Sequence, residues 1–374
     1  MEWKVRFVDY PQQFQKWGDK MMAVIHTCLL KGDLMLRHQL EEFEKNLAAY
    51  VGTKYAVGLS NCTDALHLAM RAAGIKTGDE VITVSHTFVA TAEAIHQTGA
   101  TSILIDIGDD HNMNVDLIEA AITPKTKAIV PVHLNGRVCK MDKILSIAQK
   151  HNLIVIEDSA QALGGEFKGK RGGSFGVAGC FSFYPAKALG AFGDAGAMTT
   201  NSEEIYNKVH SLRDHGRGIP GEVSGWAYNC RLDNVQAAVL DLKLKWFPEW
   251  VTRRREIAKL YYDNLAGLKN VQLLPDPSAK GDHFDIYQNY EIEAENRMGL
   301  GEHLKSKGVE IMIPWGGKGV HQFKNLGLPQ YKLPRTERMF ERALMLPLTT
   351  ELTNSQIQYV CEQIHEFYST HGKK

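Results

Sequence analysis

The chain has 374 residues, enough for two domains at roughly 100 to 200 residues each. Its 43 basic and 43 acidic side chains cancel to a formal net charge of +0, so no global field recruits nucleic acid or an acidic membrane, and no window approaches the roughly 18 uninterrupted apolar residues of a membrane span. Six scattered cysteines without a C-x-x-C pair read as reduced thiols, and the N-terminus shows no apolar signal segment, so a cytoplasmic protein is expected.

Trp3, Val5 and Phe7 alternate with charged residues as in an extended segment. From about Pro11 to Leu30 the pattern turns helical, with residues 21–25 expected as a buried turn of an arm that packs against the C-terminal part. Leu40, Phe43 and Leu47 then recur at helical spacing, with Tyr50 closing the face. Residues 55–60 are a short strand, after which Asn61-Cys-Thr63-Asp64 opens a helix. A helix start presents free N–H groups and the positive dipole end, so it can hold an anion, and Thr63 or Asp64 can equally serve as an ordinary cap.

Strands at 81–84, 102–105 and 128–132 next alternate with helices from about 90, from about 116 and near 141–151. The alternation predicts an α/β fold, a mostly parallel sheet with helices on both faces. Leu153-Ile-Val-Ile-Glu-Asp158 is an apolar strand that ends on two acids, and the C-terminal edge of such a strand faces the ligand crevice of an open α/β sheet. A carboxylate there can pair with the ring nitrogen of pyridoxal 5′-phosphate, or it can cap the next helix. Lys187 follows among small, apolar and glycine residues that disfavour its charged form and free an amine to attack a carbonyl; a surface lysine in a turn is the alternative. Beyond Asn229 the character changes. A helix at 240–246 leads through Pro248 to Arg253-Arg-Arg255, expected as a solvated helix face, and a strand at 287–292 and a closing helix after Thr353 complete a smaller α+β unit. The expected division is 1–245 for a large cofactor-binding domain and 246–374 for a small one.

Several segments taken together resemble the pyridoxal-phosphate-dependent nucleotide-sugar aminotransferases, on the aspartate-aminotransferase-like fold of type I. They are Phe43-Glu44, Ser60-Asn-Cys-Thr-Asp-Ala-Leu66, Gly78-Asp-Glu-Val81, Thr87-Phe-Val-Ala-Thr91, Pro131-Val-His-Leu-Asn-Gly136, Glu157-Asp-Ser-Ala-Gln161, Phe181-Ser-Phe-Tyr184 with Lys187, Gly193-Asp-Ala-Gly196 and Asn229-Cys-Arg-Leu232. The resemblance implies transfer of an amino group from L-glutamate to a keto group of a nucleotide-linked deoxysugar in the synthesis of cell-surface polysaccharide or glycan precursors. It makes Lys187 the Schiff-base and proton-shuttling residue and Asp158 the partner of the ring nitrogen. It sets Gln161 on the phenolic oxygen, Phe88 on the ring face, and Thr63, Asp64 and Ser182 on the phosphate. A core phenylalanine is the alternative for Phe88. The resemblance further implies a homodimer with shared active sites, in which Asn229 reaches the partner's phosphate; a helix cap is its alternative. Related enzymes usually carry glycine where this chain has Cys62.

Two other function classes stay open: a sugar dehydratase on the same fold, which replaces the Schiff-base lysine by histidine, and a non-catalytic regulatory or sensor member. Residues 315–321 are the candidate sugar-side loop, with a surface turn as the alternative. Gly216-Arg-Gly218-Ile-Pro-Gly221 satisfies the dinucleotide pattern but follows a charged segment and contains Pro220, and Gly164-Gly-Glu-Phe-Lys-Gly169-Lys170 misses the P-loop hydroxyl because Arg171 follows. The fifteen histidines show no metal-ligand spacing, so no metal is implied.

Overall fold

A seven-stranded sheet is the centre of the computed structural model, which describes residues 2–218 and 222–371. Its strands are β1 (Tyr55–Leu59), β2 (Glu80–Val84), β3 (Thr101–Ile105), β4 (Thr126–Ile129), β5 (Ile154–Asp158), β6 (Ala178–Ser182) and β7 (Gly196–Thr200), in the spatial order β1-β7-β6-β5-β4-β2-β3. From β6 to β3 every pairing is parallel, and β7 runs antiparallel to both its neighbours. The C-terminal ends of β1, β2, β4, β5 and β6 therefore share one edge, and β7 begins there.

Helices α1 (Tyr10–Lys31), α2 (His38–Val51), α3 (Cys62–Ala72), α4 (Val89–Gln97), α5 (Met141–His151) and α6 (Glu203–Leu212) surround this sheet. Leu66 and Ala69 of α3 pack with Val81 and Ile156, whereas Met141 and Ile144 of α5 pack with Ile82, Ile129 and Val155. Successive strand residues point to opposite faces, so both faces are covered, and that is why these strands read as unbroken apolar runs.

The C-terminal unit is built on α7 (Asn234–Leu265), β8 (Val271–Gln272), β9 (Tyr290–Ala294), α8 (Arg297–Ser306), α9 (Pro334–Arg342), β10 (Ala343–Leu346) and α10 (Asn354–His371). The three strands form an antiparallel sheet in the order β8-β9-β10, with Tyr261, Leu300, Leu304, Ile357 and Ile364 in its core. Val5 joins that core and bridges to Val309, so the first residues belong to the C-terminal unit. No helix among the described residues is long and apolar enough to cross a membrane.

Four expectations need correction. Pro248 does not interrupt a helix: α7 runs through it, because Phe247, Trp250 and Val251 are buried against the α2 layer and outweigh the roughly 3 kcal/mol cost of an interior proline. The helix expected from about 116 is two short 3₁₀ turns, Val115–Leu117 and Glu119–Ala121. Pro124 keeps Thr123 out of the helical region, which leaves too few residues for a stable α-helix. Residues 21–25 are no buried turn, since only Met21 is buried and Met22 is exposed. The arginine triplet is not solvated either: Arg254 donates to Tyr287 O (3.0 Å) and Gln288 O (2.6 Å), and Arg255 donates to Asp285 O (2.6 Å). The near P-loop is a hairpin whose tip, Lys168-Gly169, has positive φ at both positions. Residues 219–221 of the dinucleotide-like pattern lie outside the described residues.

Candidate active site

The shared strand edge gathers residues far apart in sequence. At the end of β5, Asp158 is 5% exposed. Its Oδ2 accepts from Thr91 Oγ1 (2.7 Å) and its Oδ1 from the Ala160 N–H (3.1 Å). Burial raises its carboxyl above the usual range, against the pull of the Thr91 bond. A buried carboxylate of this kind suits a cationic ligand, since a positive partner restores the ionised form. Thr91 lies one turn into α4 and also meets Thr87 Oγ1 (2.6 Å).

Lys187 sits in a turn between β6 and β7 that is closed by Phe183 N–H to Ala195 O (2.8 Å) and Ala191 N–H to Phe183 O (2.8 Å). Gly190 fits that turn because a Cβ would stand 2.3 Å from Pro185 O. Gln288 brackets the lysine, donating from Nε2 to Ala186 O (3.0 Å) and accepting at Oε1 from the Ala188 N–H (2.7 Å). Lys243 Nζ donates to Gly190 O (2.6 Å). Burial lowers the Lys187 pKa below the ordinary lysine value, opposed by Cys62 and Asp158 nearby. More free amine is then present for attack on a carbonyl.

The start of α3 lies against the same place. Asn61, not Thr63 or Asp64, is its cap, and Asn61 Oδ1 accepts from the Asp64 N–H (2.8 Å). The Asp64 carboxylate takes bonds from Ser60 Oγ and Asn61 Nδ2, so Asp64 braces the turn. Gly196 touches this turn: a Cβ there would stand 2.3 Å from the Asn61 carbonyl carbon. Ser182 pairs with Gly196 across β6 and β7, which places its hydroxyl near the first turn of α3. The thiol of Cys62 is buried and pushed well above its usual range by burial and then by Asp158.

Phe88 is 57% exposed just past β2, so it is not a core residue. Gln161 Oε1 accepts from the Asn135 N–H (2.8 Å) and from Asn289 Nδ2 (3.2 Å). Asn229 caps no helix, since Asp233 is the cap of α7. It is exposed on a segment bridged to Asp214 and lines a cleft of about 590 Å³ with Ser60, Gly193, Asp194 and Arg231. The 315–321 loop is pinned to the sheet edge by Val320 N–H to Ser85 O (3.1 Å) and by the 2.6 Å contact of His321 Nδ1 with Ser85 Oγ. His321 Nε2 also meets Glu337 (3.3 Å), but Ser85 is fully buried, so this trio is a staple and not a nucleophile set.

Sequence reasoning gave no role to Thr91, Asn135, Lys243, Gln288 or Asn289. The i, i+4 spacing of Thr87 and Thr91 was a usable signal, as was the polar pair Gln288-Asn289 set between two tyrosines.

The model of the DegT/DnrJ/EryC1/StrS aminotransferase family matches residues 16–365. The chain is 38% identical to a pleiotropic regulatory protein of Geobacillus stearothermophilus, over 97% of this chain and 98% of that protein. It is 37% identical to a UDP-N-acetyl-3-dehydro-alpha-D-glucosamine 3-aminotransferase of Acidithiobacillus ferrooxidans, over 98% of each. The crystal structure of S. venezuelae DesV in complex with a ketimine intermediate superposes with a TM-score of 0.93 at 36% identity, covering 97% of this chain and 98% of that one.

Proposed function

The chain belongs to the DegT/DnrJ/EryC1/StrS aminotransferase family, with pyridoxal 5′-phosphate as its cofactor, and from that premise we propose that it moves an amino group from L-glutamate to the keto carbon of a nucleotide-linked deoxysugar. One observation carries the reading: a lysine with lowered pKa stands near a buried carboxylate that forms no salt bridge among the described residues, at a single sheet edge. The bound cofactor supplies an electron sink for the substrate carbon. Lys187 anchors it covalently and moves the proton at that carbon. Asp158 keeps the proton on the ring nitrogen, Gln161 donates to the phenolic oxygen, and the open face of Phe88 packs on the ring. Thr63, Ser182 and the first N–H groups of α3 take the phosphate, with Asp64 bracing the turn. The 315–321 loop faces the sugar. The sugar enters after the donor has left, and its aminated product serves cell-surface polysaccharide synthesis.

The match to a regulatory protein does not favour a non-catalytic reading, because Lys187 and Asp158 are both present in this chain and lie near one another at the sheet edge. Lys187 also opposes the dehydratase. The expected division at 245/246 is moved by the packing: the cofactor-holding unit takes α1 through Val251, and the smaller unit takes the chain from Ile257 onward together with the first residues around Val5, the two cores meeting along α7. The working form is a cytoplasmic homodimer. Exposed Phe14, Met22, Leu29 and Leu30 on α1 support a covered face, and six buried free cysteines support a reducing compartment.

The test is the visible absorbance of the purified holoenzyme with and without L-glutamate, followed by amination assays on a panel of keto-sugar nucleotides. Loss of the band with glutamate and turnover of a keto sugar are expected; a band indifferent to glutamate sinks the reading. For the shared site, Asn229→Asp and Lys187→Ala homodimers are expected to be inactive and to recover activity when mixed under subunit exchange, since one site of the mixed dimer then carries neither lesion. No recovery despite verified exchange refutes the shared site.

A further inference from the structure

The small unit reaches into the site through one short segment. After Asp285, which pairs with Arg137 (2.7 Å), residues 286–289 cross the sheet edge: Gln288 holds the Lys187 turn and Asn289 touches Gln161. Donor and acceptor chemistry fixes the hydrogen-bond directions along this contact. His111 lies between two carboxylates that are 0% exposed, with Nδ1 on Glu291 and Nε2 on Glu293, both at 2.8 Å. Both ring nitrogens must donate, so both carboxylates are acceptors. Asn135 faces Glu291 Oε1 at 3.2 Å, and the atom it presents must be the amide nitrogen.

The Asn135 carbonyl therefore points the other way, where Asn289 Nδ2 donates to it at 3.1 Å. The same Asn289 nitrogen donates its second hydrogen to Gln161 at 3.2 Å. A backbone donor reaches that same Gln161 atom: the N–H of Asn135, whose left-handed φ of 54° aims it there, at 2.8 Å. Two donors converge on one end of the Gln161 amide, which must be its oxygen. Its nitrogen has no protein acceptor among the described residues and keeps both hydrogens for a ligand.

We propose that Asn135 and Asn289 are positioning residues that fix which end of the Gln161 amide faces the cofactor, through a chain of hydrogen bonds whose directions are set at the Glu291 carboxylate and in which Asn289 donates both to Asn135 and to Gln161. The inference rests on the assignment of Gln161 to the phenolic oxygen. With the relay intact, Gln161 offers an N–H to an oxygen that carries negative charge, and an amide free to turn offers its carbonyl for part of the time. Asn289 is thereby a device of the small unit acting on cofactor electronics, since it belongs to the segment leading into β9.

The experiment is a double-variant cycle on the holoenzyme with Gln161→Ala, Asn289→Ala and the pair. Two quantities are read: the pH midpoint of the visible absorbance transition of bound pyridoxal 5′-phosphate, and the dissociation constant of pyridoxamine 5′-phosphate, which binds without a covalent bond. Losing a donor to an oxyanion raises its proton affinity, so Gln161→Ala is expected to move the midpoint upward and weaken binding about tenfold. Asn289→Ala is expected to shift both in the same direction by a smaller amount and to add nothing in the Gln161→Ala background. Equal effects of Asn289→Ala in both backgrounds, or none in either, overturn the relay while Gln161 keeps its role. No change from Gln161→Ala overturns the assignment of Gln161 itself and the relay with it. Should Asn289→Ala fail to fold, Asn289→Asp keeps the shape, removes the donor and is scored by the same criteria.

Discussion

At the scale of single residues, the site depends on charges that are costly where they stand. Asp158 is buried with its carboxyl raised, and its protein donors are the Thr91 hydroxyl and the Ala160 N–H. The folded carboxylate is thus incomplete without a cation, which makes it a selective partner for a protonated ring nitrogen. Asp158→Asn keeps both donors' space but cannot hold that proton. We expect turnover to fall by roughly 100- to 1,000-fold, the scale of losing one electrostatic partner in a buried site, with the cofactor still bound through Lys187 and α3. Single-turnover kinetics with glutamate, alongside the cofactor content of the variant, check this; turnover within a few-fold of wild type would show Asp158 to be only a strand-end acid. Cys62 is the reverse case. Related enzymes usually carry glycine at this position, and the structure shows here a buried thiol close to Asp158 and Lys187, held neutral by burial and therefore a poor nucleophile.

At the scale of elements, the turn carrying Lys187 is held from outside by α7. Lys243 is 2% exposed and among the described residues its hydrogen bond is to Gly190 O, so burial brings its pKa down to about 8. An unfolded lysine titrates near 10.4, so below about 8 the ammonium is charged in both states and the folded state bears the full burial penalty. Between about 8 and 10.5 the unfolded chain binds more protons, and the penalty is relieved as pH rises. Relative to Lys243→Met, the wild type should therefore gain up to about 3 kcal/mol of unfolding free energy from pH 7.5 to 10.5, at about 1.36 kcal/mol per pKa unit. Urea titrations of both proteins at these two pH values measure it, and a difference that stays flat or shrinks refutes the buried charge. Elements of this kind were legible where packing is two-sided. The run Leu153 to Asp158 reads as a strand because both faces are covered, and the start of α3 reads from its polar cap. What the sequence could not disclose were contacts between distant segments. Tyr290-Glu-Ile-Glu-Ala294 alternates as if one face were solvated, yet Glu291 and Glu293 are fully buried because His111 and Arg335 cover them from elsewhere in the chain. Pro248 reads as a break for the same reason, since tertiary packing is what keeps α7 continuous through it.

At the scale of the whole molecule, the two units are clamped by charge as well as by the shared helix. His111 comes from the large unit and Glu291 and Glu293 from β9; His86 Nε2 stands 3.7 Å from Glu291, and Arg335 pairs with Glu293. Burial opposes the imidazolium, but the bonds to the two glutamates outweigh it and push the His111 pKa up to about 9. In the unfolded chain a histidine titrates near 6.5, so the clamp's contribution is fully present below that pH and is lost as pH rises through about 9. The loss amounts to about 3 kcal/mol at about 1.36 kcal/mol per pKa unit. Lys243 acts in the opposite direction above about 8, so the clean measurement uses the Lys243→Met background. There, unfolding free energy from urea titrations should decline between pH 6.5 and 9.5. Adding Glu293→Gln, which takes away one of the two carboxylates that hold the proton, should move that decline to lower pH by weakening the bond that raises the His111 pKa. Removing a partner without replacing its shape is harsher: His111→Ala leaves two buried carboxylates facing each other and is expected to cost roughly 3 to 5 kcal/mol at pH 7. If the decline is absent, or stays at the same pH in the Glu293→Gln variant, the proton does not reside on His111, and the two units are held without that charge, by packing along α7 and by links such as the Arg137–Asp285 pair.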